Sequence, residues 1–324
     1  MWWTRNSATS RSKPASKRCS RSHDGSPWSP QPGADVNEFL QALVNGVISA
    51  GAIALPAVGL SMMYAVLRFP NFAVAGIASL GAYVAYLANF HFGLPALATI
   101  PIAFVGAGIA GVLCDWLCMR RLRDKMGPDG MLTVAIVSIA VMIAIESALR
   151  FTFGNDLRNF DVPLMRDVTV VGMRVSPQQL SNLGIAVGVT VVLFAYFRFT
   201  RMGKAMRAVA DNPMLARLKG IDPKTIAILT IFVGMGLAGV GGTLLGIDTS
   251  IDPLTGTRFL LTFFAASVLG GLSSPAGAVI GAVVIGVAEE VALIWLPSTY
   301  RSAIGFLAIF LFLTFRPQGL MGQR

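Results

Sequence analysis

"FLQALVNGVISAGAIALPAVGLSMMYAVL" (residues 39–67) is 29 residues long and carries no charge. A bilayer crossing needs about 20 consecutive, mostly apolar residues, so this stretch is long enough to cross. It does not alternate apolar and polar residues over about 10 positions, as a lipid-facing barrel strand would. A second uncharged run, Phe259 to Ala288, has the same character. Over all 324 residues the chain is 54% hydrophobic and 13% charged, with mean hydropathy +0.67. A soluble domain carries roughly a quarter of its residues as charges. The reading is therefore an all-α, polytopic transmembrane helical bundle of about 8–10 spans with interrupted or re-entrant helices. Candidate spans fall near 38–67, 70–90, 94–118, 131–150, 180–198, 225–247, 259–273, 276–296 and 302–315.

The formal net charge of +10 invites a nucleic-acid reading, but the basic residues lie in the N-terminal tail and two short loops. The positive-inside rule accounts for them without a polyanionic partner, so no nucleic acid is expected. Residues 1–35, rich in Ser, Arg, Lys and Pro, are expected to be a disordered basic tail, with no apolar core of a cleavable signal peptide. The 119–130 loop holds Arg120, Arg121, Arg123 and Lys125 against Asp124 and Asp129. The 199–224 loop, with Arg198 at its edge, holds seven basic residues against Asp211 and Asp222. The 151–179 loop balances Arg158, Arg166 and Arg174 with Asp156, Asp161 and Asp167. The two basic loops are thus expected to face the cytoplasm. Counting spans back from 119–130 puts the N-terminus outside, against the six basic residues of the tail. Either 70–90 is re-entrant or the tail does not govern insertion. Cys19, Cys114 and Cys118 fit no disulfide or zinc pattern and read as packing thiols.

Within the second basic loop, "AVADNPMLARLKGID" (208–222) is built like a short soluble helix. Asn212 is a good N-cap and Pro213 suits the first helical position. Arg217 and Lys219 complement the C-terminal end of the dipole, and Gly220 suits a left-handed C′ position. Met214, Leu218 and Ile221 form an apolar stripe, with Leu215 beside them. Two turns are too short to stand alone in water, so the helix must dock, either on the chain's own spans or on another protein.

The surrounding pattern Arg198, Arg201, Gly203, Ala205, Arg207, Ala208, then Gly220, Ile221, Asp222 resembles the cytoplasmic loop of branched-chain amino-acid ABC importer permeases. "NFAVAGIASLGAYVA" (71–85), "AASVLGGLSSPAGAVIGAVVIGVAEE" (265–290) and "FRPQGLMG" (315–322) resemble three further segments of that family, in the same order. The chain departs from the family in having Val74 and Ala75 where His-Gly is common, and Ala276 after Pro275 where Gly is common. If that histidine contributes to substrate choice, its loss bears on the exact substrate. The resemblance implies a permease domain over 36–322 in the cell inner (plasma) membrane, multi-pass, carrying branched-chain or related hydrophobic amino acids. It implies ATP-binding ABC subunits, a second permease subunit in a heterodimer, an extracytoplasmic solute-binding protein and membrane lipid as partners. ATP would be used by the partner subunit, with no cofactor in this chain. The implied ATPase contact comprises Arg207, Asp211, Asn212, Pro213, Met214, Leu215, Leu218 and Gly220.

Residues for a pathway come from breaks and buried charges. "LGGLSSPAGA" (269–278) and "RFPNFAVAG" (68–76) interrupt apolar runs. Paired interruptions in two halves point to a midplane pathway, and plain loops are the alternative. Asn71, Phe72, Ser273, Ser274 and Pro275 are the candidates there. Glu146, Glu289 and Glu290 lie inside spans, where ionisable groups are functional candidates by default, with Glu146 and Glu289 taken as the pathway candidates. The structural alternative pairs them with Arg150 and Arg301. "GMGLAGVGGTLLG" (234–246) contains a literal Gly-x-Gly-x-x-Gly but no preceding strand, so its glycines are read as close helix contacts. No Gly-x-x-x-x-Gly-Lys-(Ser/Thr) occurs, and His23 and His91 stand apart from any nucleophile. No enzyme is predicted. Urea or short amides are an alternative cargo, and a stand-alone ion-coupled secondary transporter is an alternative mechanism.

Overall fold

The computed structural model describes residues 35–126, 130–160, 168–170, 173–315 and 319–321. The expected disordered tail, but for Asp35, lies outside the described residues, as do Cys19 and His23.

Among the described residues, nine apolar helices build the bundle: α1 (Asp35–Leu67), α2 (Ala73–Phe92), α3 (Ile100–Cys114), α5 (Met131–Phe153), α6 (Pro177–Phe199), α9 (Pro223–Asp248), α10 (Thr255–Gly270), α11 (Pro275–Ala292) and α12 (Arg301–Phe315). Three polar ones, α4 (Arg120–Met126), α7 (Arg201–Asp211) and α8 (Pro213–Leu218), lie between them. Seven helices are long and apolar enough to cross a membrane, counting the continuous Ala96–Lys125 as one. In that helix a π-turn, Asp115–Met119, joins α3 to α4. The two shorter helices, α10 and α12, have 16 and 15 residues, about 24 and 22 Å at the helical rise. A two-stranded antiparallel ribbon, β1 (Val168–Val170) and β2 (Met173–Val175), precedes α6. It pairs Val168 with Val175 and Val170 with Met173.

The core is organised on α9, whose glycines let two neighbours, α1 and α2, approach backbone to backbone. A Cβ on Gly59 of α1 would stand 2.3 Å from the Gly234 carbonyl oxygen, and one on Gly81 of α2 would stand 2.3 Å from Gly239 Cα. A Cβ on Gly242 would lie 2.1 Å from Ala78 O. The run 234–246 is therefore a packing face, as the sequence implies, and Met235, Leu237 and Leu244 fill the space between glycines as fully buried side chains. Without a hydrophobic drive between helices in lipid, such close van der Waals contact is what holds them together.

The helix ends give the chain its sense. The Arg68 guanidinium, one residue past α1, donates to the Ala210 carbonyl on α7, so α1 ends at the face carrying the basic loops. Gly46, near its start, packs on Gly286 and Val287, toward the other end of α11. The 70–90 segment forms α2, a 20-residue helix long and apolar enough to cross a membrane, and α1 starts on the face opposite the basic loops.

Candidate functional site

On the basic face three successive caps lock α7, α8 and α9 together. Thr200 Oγ1 accepts from Gly203 N–H at 3.0 Å, and the chain turns so tightly there that a Cβ on Gly203 would meet Phe197 Cα at 2.5 Å. Asn212 Oδ1 accepts from the N–H groups of Met214 and Leu215 at 3.0 and 3.1 Å, with Pro213 at the first helical position. Gly220 ends α8 at φ +79°. Its N–H donates to Arg217 O, and Ile221 N–H donates back to Ala216 O at 3.0 Å, which closes the last turn with a left-handed residue. Asp222 then caps α9 through the N–H groups of Lys224 and Thr225, both at 3.2 Å, and Thr225 Oγ1 donates to it at 2.8 Å. The Thr225 hydroxyl, followed by the Lys224 N–H, holds the Asp222 carboxyl below its ordinary range.

The tertiary structure divides the predicted apolar stripe. Ala216 is buried and Ile221 packs against the core, but Met214, Leu215 and Leu218 are 70, 60 and 81% exposed. These three side chains project from the basic face. Arg207 and Asp211 are also exposed. Asp211 is the last residue of α7 and makes none of the three caps.

The two helix breaks lie in the same half of the bundle. After α1, Arg68 turns the backbone with φ +63°. Asn71 Oδ1 then accepts from Ala73 N–H at 3.1 Å, and Phe72 N–H donates to Ser138 Oγ on α5 at 3.0 Å. Between α10 and α11, residues 271–274 form a turn in which Ser274 Oγ accepts from Gly277 N–H and Pro275 opens α11. Ser273 is exposed. Ser61 Oγ of α1 donates to Leu272 O at 3.1 Å, which sets this turn within two helical turns of the basic end of α1. Leu320 and Met321 donate their N–H groups to Leu269 O and Gly270 O at 2.8 and 3.0 Å. Gly319, at φ +76°, lies so close that a Cβ on it would meet Gly271 at 2.6 Å. The 319–321 segment thus satisfies the carbonyls that end α10, so the buried end of that helix keeps its backbone groups paired. Phe72 and Phe264 rings, 5.6 Å apart, join the first break to the flank of α10.

The two buried glutamates reach α10 from different sides. Glu146 of α5 accepts from Thr257 Oγ1, and Glu289 of α11 accepts from Thr262 Oγ1 at 2.6 Å. Glu290 pairs with Arg301, as the structural alternative allows, whereas neither the Glu146–Arg150 pair that spacing suggested nor a Glu289–Arg301 pair exists among the described residues. No cluster of three or more metal-ligating residues is found among the described residues. Sequence reasoning missed the Arg68 latch, the two threonines and the docking of 319–321. The first and last had a signal in the Arg-Phe-Pro-Asn and Gly-Leu-Met punctuation. Thr257 and Thr262 are ordinary helix residues in sequence and had none.

Comparison with known proteins agrees with this architecture. A family model described as branched-chain amino acid transport system / permease component matches residues 42–314. The chain belongs to that family. It is 29% identical over 297 residues to the high-affinity branched-chain amino acid transport system permease protein LivH of Escherichia coli strain K12, covering 88% of this chain and 96% of that protein. It is 27% identical over 301 residues to BraD of Pseudomonas aeruginosa, covering 89 and 97%. LivM of Escherichia coli strain K12, also a branched-chain permease protein, is 23% identical over 269 residues, covering 76% of this chain and 62% of LivM. The chain is thus a multi-pass membrane protein of a transport-permease family.

Proposed function

We propose that this chain is a membrane-spanning permease subunit of an ABC importer for branched-chain or related hydrophobic amino acids, placed in the cell inner membrane. The observation that carries this is the capped α8, which presents Met214, Leu215 and Leu218 outward from the face with the basic loops. A two-turn helix with rigid caps and an unburied apolar tip fits the cleft of a separate ATP-binding subunit. ATP would be hydrolysed there and not in this chain. Similarity to both LivH and LivM supports pairing with a second, non-identical permease, and the opposite face would receive an extracytoplasmic solute-binding protein. Closure of the ATPase would push α8 and α7, and the Arg68–Ala210 bond would pass the displacement to the first helix break. Asn71 and Phe72 there, with Ser273, Ser274 and Pro275 at the second break, would border the moving part of the pathway.

The buried Glu146 and Glu289 favour a second reading, ion-coupled transport without an ATPase. Leucine uptake into proteoliposomes separates the two. Uptake that requires ATP, the ATPase and the binding protein supports the importer. Uptake by this chain alone on an ion gradient overturns it. Urea or a short amide in place of leucine as the accumulated solute would change the cargo and leave the subunit type intact.

A further inference from the structure

Between α3 and α9, on the outer flank of the bundle, runs an apolar groove of about 530 Å³. Its walls include Ile109, Leu113 and Trp116 from the α3 side and Phe232 from α9, with Met202 of α7 across its end. Ile109 to Trp116 and Thr225 to Phe232 each cover eight residues, seven helical steps, on helices that run antiparallel, Gly108 meeting Phe232 and Gly236 meeting Phe104, so the groove is about 10 Å long at the helical rise. Its floor is set by Gly108, where a Cβ would stand 2.8 Å from the Phe232 ring. Phe232 packs edge-on against Phe104 with centroids 5.8 Å apart.

The charge at the two ends of this groove differs. Toward Ile109 and Phe232 the helices are wholly apolar. At the basic face, Arg201 immediately precedes Met202, Lys224 immediately precedes Thr225, and Arg120 follows Trp116 by one turn. Arg201 and Lys224 are exposed. Of the nearby carboxylates, Asp115 is buried and paired with Arg123 at 3.1 Å and Asp222 caps α9, while Asp124, one turn after Arg120, is exposed. Trp116, half exposed, stands between the apolar and charged zones, where tryptophan anchors a helix at headgroup level.

We propose that this groove is a binding site for a phospholipid with an anionic headgroup. One acyl chain lies along Leu113 and Phe232, and the phosphate is held by Arg201, Lys224 and Arg120. Basic pockets between spans at the cytoplasmic surface recognise anionic lipid in this way. The lipid would tie α3 and α9 to α7, the helix that leads into α8. The proposal does not depend on the transport reading.

The test uses the full chain in nanodiscs with Trp116 as the only tryptophan, the other four replaced by Phe. Trace brominated phosphatidylglycerol is expected to quench Trp116 several-fold more strongly than brominated phosphatidylcholine. Arg201→Gln with Lys224→Gln should remove that preference, since each cation near the surface is worth about fivefold in anionic-lipid affinity. Equal quenching by the two lipids in the parent protein overturns the proposal, as does a preference unchanged in the double variant. Should the single-tryptophan chain fail to fold, native mass spectrometry of the unaltered protein replaces it. Phosphatidylglycerol retained preferentially over phosphatidylcholine, and lost in the double variant, supports the site. No preferential retention sinks it.

Discussion

The Arg68 guanidinium donates to the Ala210 carbonyl across 142 positions of sequence, joining the first helix break to the last turn of α7. Arg68 is the one non-glycine residue with positive φ among those described. A residue held there without a turn glycine carries a strain of roughly 1–3 kcal/mol, and its side chain serves the helix that leads into α8. Arg68→Gly relieves the backbone and deletes the latch together. The expected result is a melting temperature equal to or above that of the parent, with coupled leucine uptake reduced several-fold. Unchanged uptake would show that the bond transmits nothing.

The exposed tip of α8 predicts a separation of stability from function. Met214→Ser, Leu215→Ser and Leu218→Ser together remove apolar surface that the chain does not bury, so membrane insertion and thermal stability should hold within about 0.5 kcal/mol per site. Co-purification with the ATPase subunit should be lost. A marked fall in stability would instead mean that the tip packs on this chain.

Gly220→Val probes the same element through its backbone. The position has φ +79° with open space around it, so the cost is conformational, about 1–3 kcal/mol for a β-branched residue. Uptake should fall while assembly in the membrane continues. Asp211→Ala with Asn212→Ala should act in the same direction by removing the α8 cap, worth about 1 kcal/mol. Normal uptake in both variants would remove α8 from the mechanism.

Asp222 offers a pH handle outside the membrane. Its carboxyl is held below its ordinary range by Thr225 and Lys224, so its cap is fully formed above the unfolded-state pKa near 3.8. The stabilisation is lost as pH falls through the still lower folded value. Proteolysis in the 219–224 turn should therefore be flat from pH 7 to 5 and rise below about pH 4. In Asp222→Asn this acid-dependent rise should disappear, and its persistence would assign the effect to another group.

Thr262→Val leaves Glu289 buried without its 2.6 Å donor. Loss of one partner of a buried polar pair costs about 1–3 kcal/mol, and a second change, Glu289→Gln, should partly restore the melting temperature. If Glu289→Gln alone abolishes uptake while the melting temperature holds, the carboxylate has a role beyond packing.

Periodicity and charge placement made most of the fold legible. The uncharged run 39–67 became α1, the nine apolar segments became nine helices, and the glycines of 234–246 became the packing face of α9. Helix caps were equally legible at Asn212 and Gly220, because a cap joins residues two to five apart and needs no tertiary partner, whereas the Asp222 cap of α9 was seen only in the structure. The candidate site was legible only in part. Sequence placed Met214, Leu218 and Ile221 on one stripe, but the body against which α8 lies leaves Met214 and Leu218 bare and covers Ile221. Spacing paired Glu146 with Arg150, whereas Thr257, 111 positions away, is its partner.

The sequence by itself determined which segments are apolar enough to form the helices of the bundle, where α8 is capped, and which loops carry the positive charge. Each of these follows from free energies set within a few residues, namely apolar transfer, capping and backbone freedom. Only the tertiary structure decided which face each helix shows its neighbours. It seated the C-terminal Gly319–Met321 segment on the end of α10, brought Arg68 to Ala210, and set two carboxylates on the threonines of α10. Those contacts join residues distant in sequence, and their partners were fixed by how glycine faces let backbones approach, a property of pairs of helices and not of any one of them.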